Sequence, residues 1–239
     1  MITIIGNGKM ALSIAKGLKG ECEVVGRDER KLKRFCQETG VKNYYLLNNF
    51  DITGKTIILA TKPYSLDTLN LKGEADEVIS IMAGKKIEEI KKEIKAKKYS
   101  RVMPNIGAEY LASTTAIFGT DKAFEIFSKI GEAIKVNSEN ELDIATAIAG
   151  SGPAFLALVA EAIADGGVLC GLNRELSYRL TSGLFKSFSA IEKKPSDIKD
   201  SVMSPAGTTA SGYEALEENG VRNSFIKAIK NAYEKSQKI

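Results

Sequence analysis

The chain has 239 residues, 44% of them hydrophobic and 27% charged, and its 34 Lys and Arg against 30 Asp and Glu leave a formal net charge of +4. This ordinary balance predicts one large domain or two modest ones with a real core. The sequence contains no histidine, which excludes Ser-His-Asp and Cys-His nucleophiles, His-ligated metals and a histidine general base. Three scattered cysteines without C-x-x-C spacing give no metal or disulfide signal and favour a reducing cytosol.

The first half of the chain alternates short β-branched runs with amphipathic segments, which predicts an α/β fold with a largely parallel sheet covered on both faces. The opening "MITIIGNG" runs straight into a strand pattern, so we expect no signal peptide and a cytoplasmic location. The predicted helices lie near 9–19, 28–39, 86–97 and 121–130. The predicted strands are 2–5, 23–26, 56–60, 77–82, 101–103, 114–118 and 133–136.

The lysine-rich run at residues 85–98 is the one concentration of positive charge. Its lysines alternate with isoleucines at helical spacing, which is typical of a solvated amphipathic helix rather than of a nucleic-acid patch. We therefore expect no nucleic-acid partner.

Strand patterns stop after Val136, and the rest of the chain reads as helical. Ser138 and Glu141 have the spacing of a capping box, so we place a domain boundary there, with residues 1–137 in the first domain and 138–239 in the second. Helix breaks are expected at "GSGP", "GLN", "KKPSD" and "SPAG".

The segment at 153–172 is apolar on nearly all sides, but Glu161 and Asp165 interrupt it, which argues against a membrane span. Such a helix has to be covered. A helical half of about 100 residues has little surface for that, so we expect a partner subunit to supply part of the cover; the alternative is the central helix of a self-contained bundle. The two carboxylates lie one turn apart, and we interpret them as groups that cap or pair at the subunit interface rather than as an acid-base pair.

A G-x-G-x-x-A motif, formed by Gly6, Gly8 and Ala11, directly follows the first strand and opens a helix. In a dinucleotide site the first glycine permits a tight turn, the second lets the backbone approach the pyrophosphate, and the small third residue keeps the helix close to the sheet. The motif predicts a Rossmann-type nucleotide domain.

The second strand ends in "VVGRDERK", where an NAD site usually carries an acid that holds the ribose hydroxyls. Gly26 takes the acid's place and Arg27 follows, which favours NADP. A shift of the strand register would bring Asp28 into that place instead.

The stretch "VMSPAGTTA" at 202–210 stands directly ahead of a predicted helix. Serine, threonine, glycine and proline all suit a helix start, where several backbone N–H groups lack partners. This helix start is either simply capped or binds an anion.

Several segments, taken together and in this order, resemble the pyrroline-5-carboxylate reductase family over almost the whole chain. The two turns near 149–155 and 204–209 are its most specific features. The segments are "GNGKMA", "ILATKP", "SIMAG", "RVMPN", "AGSGPAF", "ADGGVLCGL" and "KDSVMSPAGTTASGYEALEENGVR".

The resemblance implies a Rossmann-type domain followed by an all-α dimerisation domain, a homodimer that often assembles further, and NADPH-preferring reduction of 1-pyrroline-5-carboxylate to L-proline, with NADH as a possible alternative. It implies no metal. The residues that it places at the cofactor are Gly6, Asn7, Gly8, Lys9, Met10, Ala11, Arg27, Asn48 or Asn49, Ala60, Thr61, Lys62, Pro63, Met82, Ala83 and Gly84.

The resemblance places Ser204, Thr208 and Thr209 at the substrate, whose carboxylate is then the anion at the helix start. Thr209 is the candidate catalytic residue, hydrogen-bonding the ring nitrogen of an imine that binds already protonated, so that no strong general acid is needed. A lysine beside that cation would repel it, and Lys62 therefore remains only a rival candidate for an acid or anion contact.

Three residues depart from the family pattern. Ile106 and Gly107 replace Thr and Pro of "MPNTP", and Ala206 replaces the first glycine of a Gly-Gly pair, where a positive φ would favour glycine. These changes bear on substrate fit and rate. The alternatives are a reductase of another cyclic imine, a β-hydroxyacid dehydrogenase, which would need a catalytic lysine in the helical half, and a nucleotide-binding regulatory protein without turnover.

Overall fold

The computed structural model describes residues 1–238 and divides into two compact units. The first contains Met1–Ser151 and Ala232–Ile239, and the second contains Gly152–Asn231. The first unit is an α/β domain and the second consists of helices. The units divide later than residue 137, where the sequence predicts the boundary, and that boundary remains a prediction.

One eight-stranded sheet forms the centre of the first unit, in the order β3-β2-β1-β4-β5-β6-β7-β8. All neighbouring strands are parallel except β6 and β7, which are antiparallel. The largely parallel α/β sheet is therefore confirmed. The strands are β1 Ile2–Ile5, β2 Cys22–Gly26, β3 Asn43–Leu46, β4 Thr56–Leu59, β5 Ala75–Ser80, β6 Ala96–Met103, β7 Ser113–Phe118 and β8 Gly131–Lys135.

Helices cover both faces of this sheet because its central strands are apolar on both sides. Successive strand residues point to opposite faces, so Ile4 and Ile58 belong to one buried cluster while Ile5 and Ile57 belong to another. The helices are α1 Lys9–Gly17, α2 Glu29–Thr39, α3 Ile87–Glu93, α4 Asp121–Ser128 and α5 Glu139–Ala145.

Two elements of the sheet domain differ from the sequence prediction. Strand β3 was not predicted, because an edge strand with only one half-buried residue carries little apolar alternation. The helix predicted at 86–97 ends at Glu93, and the last two residues of the predicted range, Ala96 and Lys97, belong to β6. Ile94 is buried and extended, with φ −134° and ψ 121°, so packing against the sheet overrides the helical spacing of the lysines.

The predicted helix start near residue 138 is confirmed. The hydroxyl of Ser138 accepts a hydrogen bond from the backbone N–H of Glu141 at 3.1 Å, and the Glu141 carboxylate accepts one from the N–H of Asn137 at 2.8 Å. Helix α5 is held to the sheet by Arg101 of β6, which is buried and donates to Glu139 at 3.0 Å and to Asp143 at 2.7 Å.

The second unit contains α6 Gly152–Leu169, α7 Arg174–Ser189, α8 Pro195–Val202, α9 Thr208–Glu218 and most of α10 Val221–Ser236. The breaks predicted at "GLN", "KKPSD" and "SPAG" separate these helices. The break predicted at "GSGP" is wrong: a π-helical turn at Thr146–Gly150 connects α5 to α6, and helical structure runs from Glu139 to Leu169.

Helix α6 exposes much of its apolar surface. Leu158 is 65% exposed, Leu169 is 89% exposed, and Leu156 is also exposed. By length and composition alone, the stretch Glu139–Leu169 could cross a membrane. Asp165 pairs with Arg174 of α7 within the chain, and its predicted place at a subunit interface stays a prediction. The bundle thus leaves α6 largely uncovered.

Candidate dinucleotide and substrate sites

The turn between β1 and α1 brings two strand ends into close contact at Gly6. Its φ is +118°, which L-residues rarely adopt, and a Cβ there would lie 2.6 Å from the carbonyl oxygen of Ala60. Because β1 and β4 are parallel neighbours, the chain leaving β4 passes directly beside this turn. Gly6 is therefore required by the turn itself, as the motif predicts.

Gly8 meets the opposite conditions. Its backbone is extended, with φ −80° and ψ −179°, and apart from its two chain neighbours no atom of the described residues lies within 4 Å of the position that a Cβ would occupy. It is the N-cap of α1, no side chain caps that helix, and no acidic residue stands in its first turn. The unpaired N–H groups in the first turn of α1, together with the open space at Gly8, would suit a bound pyrophosphate.

The remaining motif residues lie around this helix start. Ala11 is fully buried among core residues, so the helix packs closely on the sheet, and Lys9 is exposed at the first helical position. Met10 is half-buried. The side-chain nitrogen of Asn7 is buried and has no hydrogen-bond partner among the described residues, which leaves a donor available beside the turn.

At the end of β2 the structure settles the strand register. Gly26 is the last strand residue and pairs with Leu46, while the Asp28 side chain caps α2 by accepting from the N–H of Lys31 at 3.1 Å. The carboxylate that could have held a ribose is thus engaged as a helix cap. Arg27 is exposed and donates to the hydroxyl of Thr68 at 2.5 Å.

Ala60 to Pro63 follow β4 at the same sheet edge. The N–H of Ala60 donates to Ile5 at 2.8 Å, and the hydroxyl of Thr61 is buried without a partner. Lys62 is exposed, and Pro63 opens a 3₁₀ helix, Pro63–Thr68.

Met82, Ala83 and Gly84 follow β5, the next strand along. Met82 is buried, and its N–H donates to the Ser80 hydroxyl at 3.2 Å. Gly84 has a φ of +74°, which favours glycine at the end of this loop. Since the carboxyl ends of parallel strands share one edge, the loops after β1, β2, β4 and β5 lie together where dinucleotides bind in this class of sheet.

Asn48 and Asn49 follow β3 and are both exposed. Asn49 has a φ of +50° and donates to the Asn48 side-chain oxygen at 3.5 Å. Both therefore stay candidates for the adenosine contact.

Asn105, in "MPNIG", ties together three segments near the end of β6. Its side chain accepts from the N–H of Gly107 at 2.9 Å and donates to the carbonyl of Ala149 at 3.2 Å. A Cβ on Gly107 would lie 2.5 Å from the carbonyl oxygen of Ala112. Gly107 stands where the family has proline. It supplies an N–H that proline lacks, and it lets the Ala112 carbonyl come closer than a proline ring would allow.

In the helical unit, the turn Ser204 to Gly207 leads into α9. Ser204, Thr208 and Thr209 are exposed, and no side chain caps the helix, whose N-cap is Gly207. The simple cap is therefore absent, and the first-turn N–H groups and hydroxyls are open to an anion. Ala206 has a φ of +57°, the left-handed conformation in which glycine is at an advantage.

The structure thus brings the predicted cofactor residues to one sheet edge and gathers the predicted substrate residues at one helix start. Sequence reasoning did not single out Thr68. No motif signals the Thr68 contact, because it depends on Arg27, in the loop after β2, meeting a 3₁₀ helix that was not predicted.

Comparison with known proteins defines the class first. Residues 1–84 match the family described as NADP oxidoreductase, coenzyme F420-dependent, and residues 139–239 match pyrroline-5-carboxylate reductase dimerisation. The chain is therefore an oxidoreductase-type nucleotide domain joined to a dimerisation domain.

Full-length relatives make the assignment specific. A pyrroline-5-carboxylate reductase of Synechocystis is 36% identical over 99% of this chain and 97% of its own length. The 1-pyrroline-5-carboxylate reductase structure from Streptococcus pyogenes has a TM-score of 0.85 and 27% identity, covering 100% of this chain and 98% of that one. A Plasmodium falciparum pyrroline carboxylate reductase with NADP bound has a TM-score of 0.81 and 26% identity, covering 99% and 98%. The chain belongs to the pyrroline-5-carboxylate reductase family.

Proposed function

We propose that this protein reduces 1-pyrroline-5-carboxylate to L-proline with NADPH as the preferred hydride donor. Family membership over the full chain length carries the proposal. The open helix start at Gly8 and the uncapped start of α9 support it, because the reaction needs a dinucleotide site and an anchor for a small carboxylate.

In this proposal, the N–H groups from Gly6 to Ala11 hold the pyrophosphate, with Asn7, Lys9 and Met10 beside them. Arg27 and Asn48 or Asn49 contact the adenosine, Ala60 to Pro63 line the ribose and nicotinamide, and Met82 to Gly84 lie near the nicotinamide. Gly26 in the place of an acid and the NADP bound to the Plasmodium relative both favour NADPH.

Ser204, Thr208 and the N–H groups of α9 hold the substrate carboxylate without a formal positive charge, which suits a substrate whose ring nitrogen is protonated. Thr209 hydrogen-bonds that nitrogen and orients the imine carbon. The bound cofactor supplies the hydride, so the protein contributes orientation and electrostatics and needs no histidine.

The dimerisation family supports self-association. We infer a homodimer, which can assemble further, with the exposed leucines of α6 in the interface. The match to the dimerisation family begins at residue 139, which supports the division of the chain into domains 1–137 and 138–239. We place the protein in the cytoplasm.

The substrate assignment is tested by Ser204→Ala and Thr209→Ala, assayed by NADPH oxidation with 1-pyrroline-5-carboxylate. Losing one hydrogen bond to a charged group should lower kcat/KM by roughly tenfold or more. The Kd for NADPH, measured by calorimetry, should stay within about twofold because neither residue is assigned to the cofactor. Ser196→Ala, an exposed serine of α8, is the matched control and should keep wild-type kinetics. A loss confined to cofactor binding would place this turn in the other site.

A further inference from the structure

The Arg27 guanidinium does not extend freely from the end of β2. One of its terminal nitrogens donates to the Thr68 hydroxyl at 2.5 Å and lies 3.4 Å from the Thr68 carbonyl oxygen. Both residues are exposed and belong to the loops after two different strands of the sheet domain, β2 and β4. This contact therefore joins the two loops at the nucleotide-binding edge.

The Thr68 hydroxyl has a fixed direction. It donates its own proton to the carbonyl of Ser65 at 2.9 Å, which leaves its oxygen lone pairs as the acceptor for Arg27. Ser65 in turn donates to the Lys62 carbonyl through both its N–H, at 3.0 Å, and its hydroxyl, at 2.7 Å. The acceptor thus stands on a short helix that is bonded internally along its length.

Only one nitrogen of the Arg27 guanidinium is held in this way by the described residues. The N–H groups on its other two nitrogens remain available to an anion. Arginine has five N–H donors in a planar fork, and a phosphate is best bound by two of them in parallel. Fixing the fork beforehand lowers the conformational entropy lost when the anion binds. A phosphate on the adenosine ribose is what distinguishes NADPH from NADH.

We propose that Thr68 is a positioning residue for Arg27 and so sets the preference for NADPH over NADH. The inference rests on the proposed NADPH dependence and adds the residue that makes Arg27 effective. Thr68 need not touch the cofactor, because it acts through the orientation of the guanidinium.

The test is direct binding of NADPH and NADH to the full chain by calorimetry, without substrate. Thr68→Val keeps the side-chain shape and removes the acceptor, so the Kd for NADPH should rise about three- to tenfold while the Kd for NADH stays unchanged. Thr68→Ser restores the acceptor and should bind NADPH as the wild type does. Thr53→Val, an exposed threonine bonded to Asp51 at 2.6 Å, is the matched control and should change neither Kd.

A double-mutant cycle isolates the action through Arg27. In an Arg27→Ala background, Thr68→Val should have no further effect on NADPH binding. Equal weakening of NADPH and NADH, or an undiminished effect of Thr68→Val without Arg27, overturns the positioning role while leaving the reductase proposal intact. Equal affinity of the wild-type chain for the two cofactors overturns both this inference and the NADPH preference.

Discussion

The two glycines of the nucleotide motif do different physical work, although a sequence pattern treats them alike. Gly6 is fixed by the protein itself, through a φ of +118° and the nearby Ala60 carbonyl. Gly8 has an ordinary backbone conformation and open space where a side chain would stand. The described structure has no internal need for a glycine at position 8, so we attribute the need to the proposed cofactor site.

This contrast predicts opposite outcomes for two equivalent substitutions. Gly6→Ala should lower the free energy of unfolding by about 2 kcal/mol or more, because it strains the backbone and collides with the Ala60 carbonyl directly after β4. Gly8→Ala should change it by less than about 1 kcal/mol, yet weaken NADPH binding by at least about tenfold. Chemical denaturation and calorimetry on both variants measure the two quantities. A folded Gly8→Ala protein that binds NADPH normally would contradict the pyrophosphate assignment.

Ala206 is the departure from the family pattern that the structure marks as strained. A non-glycine residue at a φ of +57° costs about 1 kcal/mol relative to glycine. Ala206→Gly should therefore raise the free energy of unfolding by about that amount, measured by chemical denaturation.

The matched control is Ala190→Gly, at an exposed helix end with a right-handed φ of −85°. It should leave stability unchanged or lower it by up to about 1 kcal/mol. If Ala206→Gly lowered the free energy of unfolding as Ala190→Gly does, the left-handed backbone at Ala206 would carry no cost.

At the scale of elements, the predictions succeeded where local pattern and packing agree. The strands β1, β2, β4 and β5 are buried apolar runs followed by turn residues, and all were predicted. Strand β3 is exposed on the sheet edge, and β6 begins in a lysine-rich segment that reads as a helix. Both errors arise because these residues take their conformation from a neighbouring strand.

Helix α6 is the element that a single chain leaves incomplete. An apolar helix with exposed leucines at several positions is unfavourable in water, and the dimerisation family matched by this region supports a second copy as its cover. The alternative of a self-contained bundle receives no support from the packing, since Ala164 is the single buried residue recorded for α6 within the described chain.

The interface prediction is tested by Leu158→Lys, which places a charge on the exposed face of α6. Desolvating that charge in a buried interface should convert the oligomer largely to smaller species, observed by light scattering at matched concentration. Leu46→Lys is the control, because Leu46 is 50% exposed but lies on the edge strand β3. Unchanged mass for Leu158→Lys, or an equal loss for both variants, would contradict the proposed interface.

For the whole molecule, the sequence predicted the fold class, the nucleotide motif and the family, but not the arrangement that makes individual residues effective. The structure shows that β2 ends at Gly26 and that Asp28 caps α2, and neither fact can be read from local spacing. The Arg27 contact with Thr68 joins residues 41 positions apart and leaves no trace in local spacing. Long-range side-chain pairing of this kind is set by tertiary packing.

The central claim is that this chain transfers hydride from a nicotinamide to the imine carbon of 1-pyrroline-5-carboxylate. The most direct measurement uses NADPH carrying deuterium at the transferable C4 position, with the product analysed by mass spectrometry and chiral chromatography. We predict L-proline with one deuterium at carbon 5, formed in equal amount to the cofactor oxidised. Cofactor binding without proline formation, with either NADPH or NADH, would contradict the account.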